Sequence, residues 1–313
     1  MKALSYDGAG GVRLIDAPEP VAAPGEVVID VSQAGICGTD LGAVRTGRPA
    51  IAKGTILGHE FAGRRRDTGT RVTVNPIVGC GICEKCRAGN TNLCSDRLVI
   101  GVHRHGAFAP RVAVPAVNIV DIGNLSDRQA AMIEPIATAL HAVLLAGSIA
   151  RVAVLGAGAI GLSALFVLRM LGAQDVTVSD IIPEKLAHAA TAGANTMIGR
   201  LSGTYEATID CVGACETRTD AVECLRPGGT AVLVGLHAAE LSLRAGPLIA
   251  GEKTIRGSFA YSTNEFARAV QMANQFDEPW VWETPFDRSE AAFSELLTGR
   301  GDPRHAKIQF RPS

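Results

Sequence analysis

Net charge is almost absent from this sequence. Its 313 residues include 30 Lys and Arg against 31 Asp and Glu, which gives a formal charge of −1 at pH 7. This balance provides no general attraction to polyanions. We therefore expect neither nucleic acid nor an anionic membrane surface as a partner.

Long apolar runs are also missing. No window approaches the roughly 20 apolar residues that a bilayer span needs. The N-terminal stretch MKALSYDGAGGVRLIDAPEP has no apolar core of the kind that marks a signal peptide. These two absences predict a soluble, cytoplasmic protein.

Cysteine is scarce, with eight in the chain, yet half of these fall within fifteen residues. A reducing cytosol disfavours disulfides, so clustered cysteines there are more typical of metal or redox sites. Four thiolates can close the tetrahedral shell of one zinc ion and leave no position open for a substrate. We predict a structural zinc site, with two disulfides or an iron–sulfur cluster as the alternatives. The four residues, spaced Cys-x2-Cys-x2-Cys-x7-Cys, are Cys80, Cys83, Cys86 and Cys94.

The chain is long for one hydrophobic core and changes character along its length, which predicts two domains of an α/β protein. Residues 1–136 are rich in Gly, Pro and short β-branched runs, which indicates an irregular, mostly β domain. In 137–261 a helix, ATALHAVLLAG, precedes apolar strands that alternate with helices, as in a doubly wound parallel sheet. Residues 262–313 start with a helical pattern and end near HAKIQF, an apolar run that we expect to return to the first domain as a strand.

A glycine pattern follows the first of these strands, RVAVLG. Gly156-x-Gly158-x-x-Gly161 opens an apolar helix, and Asp180 ends the next strand nineteen residues later. Glycines allow a pyrophosphate to approach the helix N-terminus closely, and an acidic residue at this point can bind the adenosine ribose hydroxyls. The pattern predicts a dinucleotide site. A tightly turned helix that only packs on the sheet is the alternative.

A second candidate metal site lies upstream of the cysteine loop. The stretches AGICGTDLG and ILGHEFAG supply Cys37 and His59, a thiolate and an imidazole that suit zinc. Glu60 or another carboxylate could complete the set and leave a position for substrate. Taken alone, these residues are more typical of a buried cysteine and a hydrogen-bonded core histidine.

Together these stretches resemble the zinc-dependent medium-chain dehydrogenase/reductase family, in particular its polyol, 2,3-butanediol and threonine dehydrogenase branch. The resemblance implies a GroES-like catalytic domain and a Rossmann domain. It covers nearly the whole chain through CGTD at 37–40, GHEFAG at 58–63, the cysteine loop at 80–94, EPIATALHAV at 134–143, GAGAIG at 156–161 and GSFAY at 257–261.

The resemblance also implies the ligands of a catalytic zinc ion. These are Cys37, His59 and Glu134, with Glu60 alternating with Glu134. A carboxylate that precedes Pro135 at the start of an interdomain helix is well placed to face the site, so we expect Glu134 to matter more than Glu60. With the cysteine loop, the chain is expected to bind two zinc ions.

A proton path is implied as well. Thr39 matches a relay hydroxyl, and Asp40 matches the carboxylate that orients His59. Many relatives carry a relay histidine two residues beyond this Asp, where the chain has Gly42. We therefore expect the outer proton path to differ and to use cofactor ribose and water.

The expected cofactor is NAD rather than NADP. The Asp180 carboxylate would repel a 2′-phosphate, and Ile181 and Ile182 follow it where relatives that use NADP carry cations. The next cation along the chain is Lys185. The implied cofactor contacts are Gly156, Gly158, Ala159, Ile160, Gly161, Asp180, Gly213 and Gly235.

Two segments are shorter than in the family. Between His59 and Cys80, RRRDTGTRVTV replaces a longer hairpin, which predicts a trimmed β-lobe. NTMIGRLSGTYEATIDCVG leaves no room for a full crossover helix, although parallel neighbours ordinarily need about a dozen residues to connect. We expect a reduced Rossmann layer at that point.

The remaining polar side chains are expected to be structural. His103 and His105 lie where relatives have a loop near the substrate, but a solvated loop is the favoured interpretation. His141 is expected to pack against a neighbouring helix. Small core or surface positions are expected for Cys211, Cys215 and Cys224, and a solvated turn for Arg64, Arg65 and Arg66.

The sequence thus predicts an enzyme that transfers a hydride between NAD and a secondary alcohol of the polyol, diol or sugar type, giving a ketone. The nearest alternative is a biosynthetic carbonyl reductase that acts on a sugar or cyclitol intermediate. A non-catalytic nucleotide-binding or structural relative is the alternative from another class. We expect a small-molecule substrate and a homodimer or homotetramer.

Overall fold

The computed structural model describes residues 1–238 and 240–312. The chain forms two compact units. The β-rich unit consists of Met1–Glu134 and the segment from Ser262 onward, and the parallel-sheet unit is Pro135–Tyr261. None of the helices that the structure describes has the length and apolar character that a membrane span requires.

The described residues form strands and helices along the whole chain. The strands are β1 (Lys2–Tyr6), β2 (Val12–Asp16), β3 (Glu26–Gly35), β4 (Glu60–Arg65), β5 (Arg71–Val74), β6 (Ile77–Val78), β7 (Leu98–Val99), β8 (Arg111–Pro115), β9 (Ile119–Asp121), β10 (Arg151–Leu155), β11 (Asp175–Asp180), β12 (Asn195–Ile198), β13 (Tyr205–Asp210), β14 (Leu225–Leu233), β15 (Thr254–Gly257), β16 (Val281–Pro285) and β17 (Lys307–Arg311). The α-helices are α1 (Gly38–Thr46), α2 (Glu84–Arg87), α3 (Asp127–Ala130), α4 (Ile133–Ala146), α5 (Ala159–Met170), α6 (Pro183–Thr191), α7 (Cys215–Glu223), α8 (Ala245–Ala250), α9 (Thr263–Ala273) and α10 (Ser289–Leu297). Short 3-10 turns lie at Thr91–Leu93, Ala116–Asn118 and Phe286–Arg288.

The β-rich unit is built around a sheet with the order β16-β17-β3-β4-β5-β9, in which β8 also pairs with β3. The expected return of HAKIQF is confirmed, because β17 runs antiparallel to β3 with Gln309 opposite Gly35 and Phe310 opposite Ala34. Phe310 packs edge-on against Phe108, with ring centroids 4.9 Å apart, and both side chains are fully buried. Burial of these rings anchors the last strand on the core.

The segment between His59 and Cys80, which we predicted to be trimmed relative to the family, contains a short hairpin. β4 and β5 form an antiparallel hairpin in which Arg64 lies opposite Arg71, joined by the short turn 66–70. The solvated turn predicted for the three arginines holds only for Arg66, since Arg64 and Arg65 are the last residues of β4. Arg65 donates two hydrogen bonds to Asp67, at 3.0 and 2.7 Å, and so closes the turn.

The parallel-sheet unit has the strand order β12-β11-β10-β13-β14-β15, and every neighbouring pair is parallel. This confirms the doubly wound α/β prediction, and the predicted strands and helices fall where expected. The helix predicted from 137 begins earlier, at Ile133, because Pro135 fits the first turn of a helix, where its missing N–H has no partner to lose. Strand order reverses between β10 and β13, and the carboxyl ends of strands at such a point form a binding crevice.

The connection from β12 to β13 is the reduced part of the Rossmann layer. Residues 199–204, all of them described, contain no helix. Leu201 takes the place of helical packing and is buried in one core cluster with Tyr205 and Ala221. Hydrogen bonds to Asp220 from Arg200 and from the Leu201 N–H hold this short connection against α7.

Candidate metal and cofactor sites

The four-cysteine loop folds into a compact group of sulfurs. The four Sγ atoms lie within 4.8 Å of one another. Cys83 caps α2, where its Sγ accepts a hydrogen bond from the Cys86 N–H at 3.4 Å, and the Cys80 Sγ accepts one from the Cys83 N–H at 3.4 Å. Four converging sulfurs, of which those of Cys80 and Cys83 accept backbone N–H bonds, fit a tetrahedral zinc ion held by thiolates.

The thiol pKa values in this loop spread widely. Backbone N–H groups of Ile82 and Cys83 lower the pKa of Cys80 to about 6. Desolvation raises the pKa of Cys86 to about 12, and its neighbouring thiols add to the effect. Crowded thiols cannot all ionise without a cation, so this donor set fits a divalent metal that would favour the thiolate form of each.

The CGTD stretch forms the N-terminus of α1. Cys37 is its N-cap, and its Sγ accepts a hydrogen bond from the Thr39 N–H at 3.4 Å. Asp40 completes the cap, because its Oδ2 accepts a hydrogen bond from the Cys37 N–H at 3.0 Å. This reciprocal cap fixes the thiol, the Thr39 hydroxyl and the Asp40 carboxylate in one turn.

His59 and Glu60 meet Cys37 at the start of β4. The ligand atoms of the three residues lie within 4.8 Å of one another, and His59 and Glu60 are buried. The Asp40 Oδ1 lies 3.4 Å from the His59 Nδ1. A carboxylate at Nδ1 orients the ring so that Nε2 is available to a metal, and the sulfur, nitrogen and oxygen donors fit zinc.

Lys307 is the functional residue that sequence reasoning missed. It lies on β17, and its Nζ donates hydrogen bonds to both Glu60 carboxylate oxygens, at 2.7 and 2.6 Å, and to the Ile36 carbonyl at 2.9 Å. Both partners of the ion pair are buried. One charged residue inside the apolar run HAKIQF was the signal that could have identified it, because buried lysines are almost always paired.

Charges shift the pKa values within this cluster. Burial raises the pKa of the Cys37 thiol, and Glu60 raises it further. Burial alone would lower the pKa of His59, but Asp40 and Cys37 outweigh it, and the pKa rises. The same holds for Lys307, whose raised pKa comes mainly from Glu60 and Cys37.

Glu134 is placed differently from Glu60. It lies in the first turn of α4, is partly buried, and also contributes to the raised pKa of Lys307. It is therefore near the cluster electrostatically, although it is not among the three residues whose ligand atoms lie within 4.8 Å of one another in the described chain.

The glycine-rich turn joins β10 to α5. Gly161 is needed for packing, since a Cβ atom there would lie 1.8 Å from the Gly156 carbonyl oxygen. A Cβ atom at Gly158 would meet nothing within 4 Å, so the space beside it is open to a ligand. The Asp180 Oδ2 accepts a hydrogen bond from the Ala157 N–H at 2.8 Å and its Oδ1 one from Ile182 at 3.0 Å. Each oxygen keeps a lone pair for a ribose hydroxyl, and the turn fits a dinucleotide.

The turns after β13 and β14 are locked together. A Cβ atom on Gly213 would lie 2.1 Å from the Gly235 carbonyl oxygen, so neither turn could approach the other with a larger residue. Asp210 holds the first turn through hydrogen bonds from the Val212 and Gly213 N–H groups, both at 3.0 Å. Mutual packing accounts for both glycines, and their contact with a cofactor stays a prediction.

Comparisons with known proteins agree with this geometry. The family profile described as alcohol dehydrogenase GroES-like domain matches residues 23–124, and the profile described as zinc-binding dehydrogenase matches 159–275. L-Galactonate-5-dehydrogenase of Escherichia coli (strain K12) is 33% identical over 81% of this chain and 81% of its own. L-Threonine 3-dehydrogenase of Streptomyces avermitilis is 31% identical, with 96% of this chain and 97% of its own covered. The chain belongs to the zinc-dependent medium-chain dehydrogenase family.

Solved structures of this family share the whole fold. Galactitol-1-phosphate dehydrogenase from Escherichia coli superposes with a TM-score of 0.91 at 28% identity, with both chains fully covered. An alcohol dehydrogenase from Escherichia coli CFT073 in complex with NADH gives 0.90 at 26%, covering 99% of each chain. A zinc-binding dehydrogenase from Sinorhizobium meliloti 1021 bound to NADP gives 0.87 at 29%, also covering 99% of each. The dehydrogenase described here transfers hydride between an alcohol or ketone and NAD(P).

The remaining histidines and cysteines of the dehydrogenase differ in their exposure. His103 and His105 are exposed, and each Nδ1 accepts a backbone hydrogen bond, from Val99 at 2.9 Å and from Ile56 at 3.2 Å. His141 is partly buried on α4. Burial raises the pKa of the Cys211 thiol strongly, which makes it unreactive, whereas Cys215 is exposed and Cys224 is partly buried.

Proposed function

We propose that the dehydrogenase oxidises a secondary alcohol of the polyol, sugar-acid or diol class, with NAD as hydride acceptor. The observation that carries the proposal is the cluster of metal-ligand atoms from Cys37, His59 and Glu60, in which the Asp40 carboxylate lies beside His59. The same chain has a glycine-rich turn with open space at Gly158, where a dinucleotide could bind. Related proteins named for galactonate, threonine and galactitol 1-phosphate support this substrate class. Direction depends on the cellular ratio of oxidised to reduced cofactor.

Four side chains of the β-rich unit are assigned roles in this chemistry. A zinc ion at this site would supply Lewis acidity that makes an alcohol hydroxyl more acidic, and a bound NAD would supply the hydride acceptor. Cys37 and His59 would hold the ion, and Asp40 keeps the His59 ring in the orientation that this requires. Thr39 passes the released proton outward, because its own pKa is too high for it to act as a free base.

We assign the third metal ligand to Glu134 rather than to Glu60. Both Glu60 oxygens receive hydrogen bonds from Lys307, so a metal ion bound by Glu60 would share this carboxylate with the positive charge of the lysine. Glu134 lies in the first turn of α4, and its charge contributes to the raised pKa of Lys307. The buried lysine therefore favours Glu134 as the resting ligand.

NAD is the proposed cofactor because of the chain around Asp180. A ribose bound by this carboxylate would bring the 2′-phosphate of NADP close to its charge, and the next two residues, Ile181 and Ile182, carry no charge. Ile181 is strongly exposed and offers an apolar surface rather than a cation. Repulsion of one close charge corresponds to roughly tenfold or more in affinity.

Initial rates on a panel of alcohols test this function. The zinc-loaded enzyme is expected to reduce NAD with at least one polyol, sugar acid or diol. With the same alcohol, its catalytic efficiency with NADP is expected to be at least about tenfold lower than with NAD. Glu134→Gln is expected to lose about 10- to 100-fold in kcat/KM, because it removes a ligand charge. Glu184→Gln, an exposed acid in the first turn of α6, is the matched control and should match the wild type. A protein that binds zinc yet turns over no alcohol or ketone would support the non-catalytic alternative.

We propose that the chain forms a homodimer or homotetramer. β15 pairs with β14 on one side, and the described residues provide no strand for its other side. Exposed edges of this kind recruit further strands, and Ile249 and Phe259 on either side of β15 in sequence are exposed. Sedimentation velocity should give two or four times the chain mass of 32.6 kDa. A single species at one chain mass at micromolar concentration would contradict this.

We also propose a cytoplasmic location, on the chemistry of the thiols. All eight cysteines are free, and four of them converge as metal ligands. An oxidising compartment would convert such a group to disulfides. Fractionation of cells that produce the protein tests the location, and recovery from an oxidising compartment would contradict it.

A further inference from the structure

An ion pair in the parallel-sheet unit has no part in the chemistry above. Asp220 lies on α7, is 5% exposed, and accepts two hydrogen bonds from the Arg200 Nε, at 3.0 and 3.1 Å. The Arg200 Nη2 also bonds to the same carboxylate, and the Leu201 N–H donates to it at 3.3 Å. The acid is therefore buried and saturated, whereas 64% of the arginine side chain is exposed.

Arg200 lies beside the proposed ribose site. Ile198, the last residue of β12, is opposite Asp180 in the sheet register. The next residue, Gly199, donates its N–H to the Asp180 carbonyl at 2.9 Å. Arg200 is therefore the residue that directly follows this backbone contact with Asp180. The residues that directly follow Asp180 did not reveal this cation, because Arg200 lies in the connection that follows the neighbouring strand β12.

The short connection is what brings these groups together. The described residues 199–204 contain no crossover helix, and Arg200 and Leu201 bond directly to Asp220 on α7. The guanidinium is consequently bound by the Asp220 carboxylate, although the residue before it contacts Asp180, whose carboxylate would hold the ribose. Arginine is the side chain best suited to bind a phosphate through paired N–H groups.

We propose that Asp220 is a positioning residue for cofactor choice, which retains Arg200 on α7 and so withholds it from the 2′-phosphate of NADP. This proposal rests on the proposed dinucleotide function. Preference for NAD then has two parts: Asp180 repels the phosphate, and Asp220 occupies the guanidinium that would otherwise attract it. Other acids near Arg200, Glu216 and Glu223, act on it only through their charge at longer range.

A purely structural role of the Arg200–Asp220 pair would have a different consequence. If Asp220 only fastens the short connection to α7, its loss lowers stability and weakens all adenine nucleotides alike. If it also retains Arg200, its loss changes the discrimination between nucleotides with and without a 2′-phosphate. The ratio of two dissociation constants separates the two roles, because a general loss of stability cancels in the ratio.

Equilibrium binding of 5′-AMP and adenosine 2′,5′-bisphosphate, measured by titration calorimetry on the full chain, provides this ratio. Asp220→Asn keeps the shape and an acceptor for the Leu201 N–H. It is expected to improve the affinity for the bisphosphate relative to 5′-AMP by about fivefold or more, as a freed charge-assisted contact to phosphate allows. Adding Arg200→Gln should remove that gain. Asp175→Asn is the matched control, since it removes the same charge from a pair with Arg151 at the amino end of β11 and should leave the ratio unchanged.

Each other outcome contradicts the proposal. An unchanged ratio in Asp220→Asn, or a gain that survives Arg200→Gln, excludes the role of Asp220 and leaves the dinucleotide site intact. The single substitution Arg200→Gln, with Asp220 unchanged, is expected to alter the affinity for the bisphosphate by less than about twofold, because Asp220 already keeps Arg200 from the phosphate. A larger loss would show that Arg200 already binds the phosphate. Failure of the wild type to bind 5′-AMP would instead refute the proposed dinucleotide site itself.

Discussion

Replacing Lys307 with methionine is expected to lower the free energy of unfolding by about 3 to 5 kcal/mol, because it leaves the Glu60 carboxylate buried without its partner. Lys307 and Glu60 have side chains that are 2% and 0% exposed, and the lysine makes three hydrogen bonds at 2.6 to 2.9 Å. Methionine keeps much of the volume, so the loss reports the unpaired charge rather than a cavity. Denaturant unfolding, followed with and without bound zinc, measures it.

Two controls define this effect. Adding Glu60→Gln to Lys307→Met removes the stranded charge and should recover a large part of the loss. Lys2→Met breaks an ion pair of similar length, Lys2 to Asp16 at 2.8 Å, whose side chains are 65% and 80% exposed. This surface change should cost less than about 1 kcal/mol. If Lys307→Met cost no more than Lys2→Met, the buried pair would not be the structural element that we describe.

Replacing Cys94 with serine is expected to have an even larger local effect. Cys94 is the buried member of the four-cysteine loop, and few other buried groups support residues 80–94. Binding of a structural zinc ion contributes about 10 to 16 kcal/mol in small thiolate sites, and this free energy is available for folding. Loss of one thiolate should therefore remove one of two zinc ions per chain and lower the melting temperature by more than about 10 °C. Elemental analysis and thermal unfolding of the same sample measure both.

Cys215 provides the matched control for that substitution. Its thiol is exposed at the start of α7 and is not part of the sulfur group. Cys215→Ser should retain both zinc ions and the wild-type melting temperature. An unchanged melting temperature in Cys94→Ser, with two zinc ions still bound, would show that the loop does not need its metal to fold.

The sequence revealed the features whose parts are close together along the chain. Four thiols within fifteen residues, a glycine pattern between a strand and a helix, and the missing crossover helix could each be read from one short segment. Lys307 and Glu60 are 247 residues apart, and Arg200 and Asp220 come from different elements of the sheet unit. Such partners depend on sheet register and on how a connection crosses a helix, which local patterns do not specify.

The start of α4 and the two glycines Gly213 and Gly235 also show which features a local pattern can predict and which depend on tertiary contacts. The α4 helix starts before the predicted position because Pro135, which ends helices in their interiors, is well tolerated in their first turn. The glycines Gly213 and Gly235 were predicted from a resemblance to contact a cofactor, but the contact that requires their small size is between their own turns. Local sequence patterns predict which residues have a structural or functional role. The tertiary fold determines which neighbours these residues contact.

The position of Lys307 also has a consequence for the order of events during synthesis. Residues 135–261 form a compact unit from one continuous stretch, so this unit can be complete while the ribosome is still extending the chain. The Cys37–His59–Glu60 cluster, by contrast, is made early but lacks its counter-charge until residue 307 has left the exit tunnel and β17 has docked on β3. The Glu60 carboxylate thus cannot form its buried ion pair until β17 has been synthesised and has docked, so the charge balance of this cluster is completed only at the end of folding.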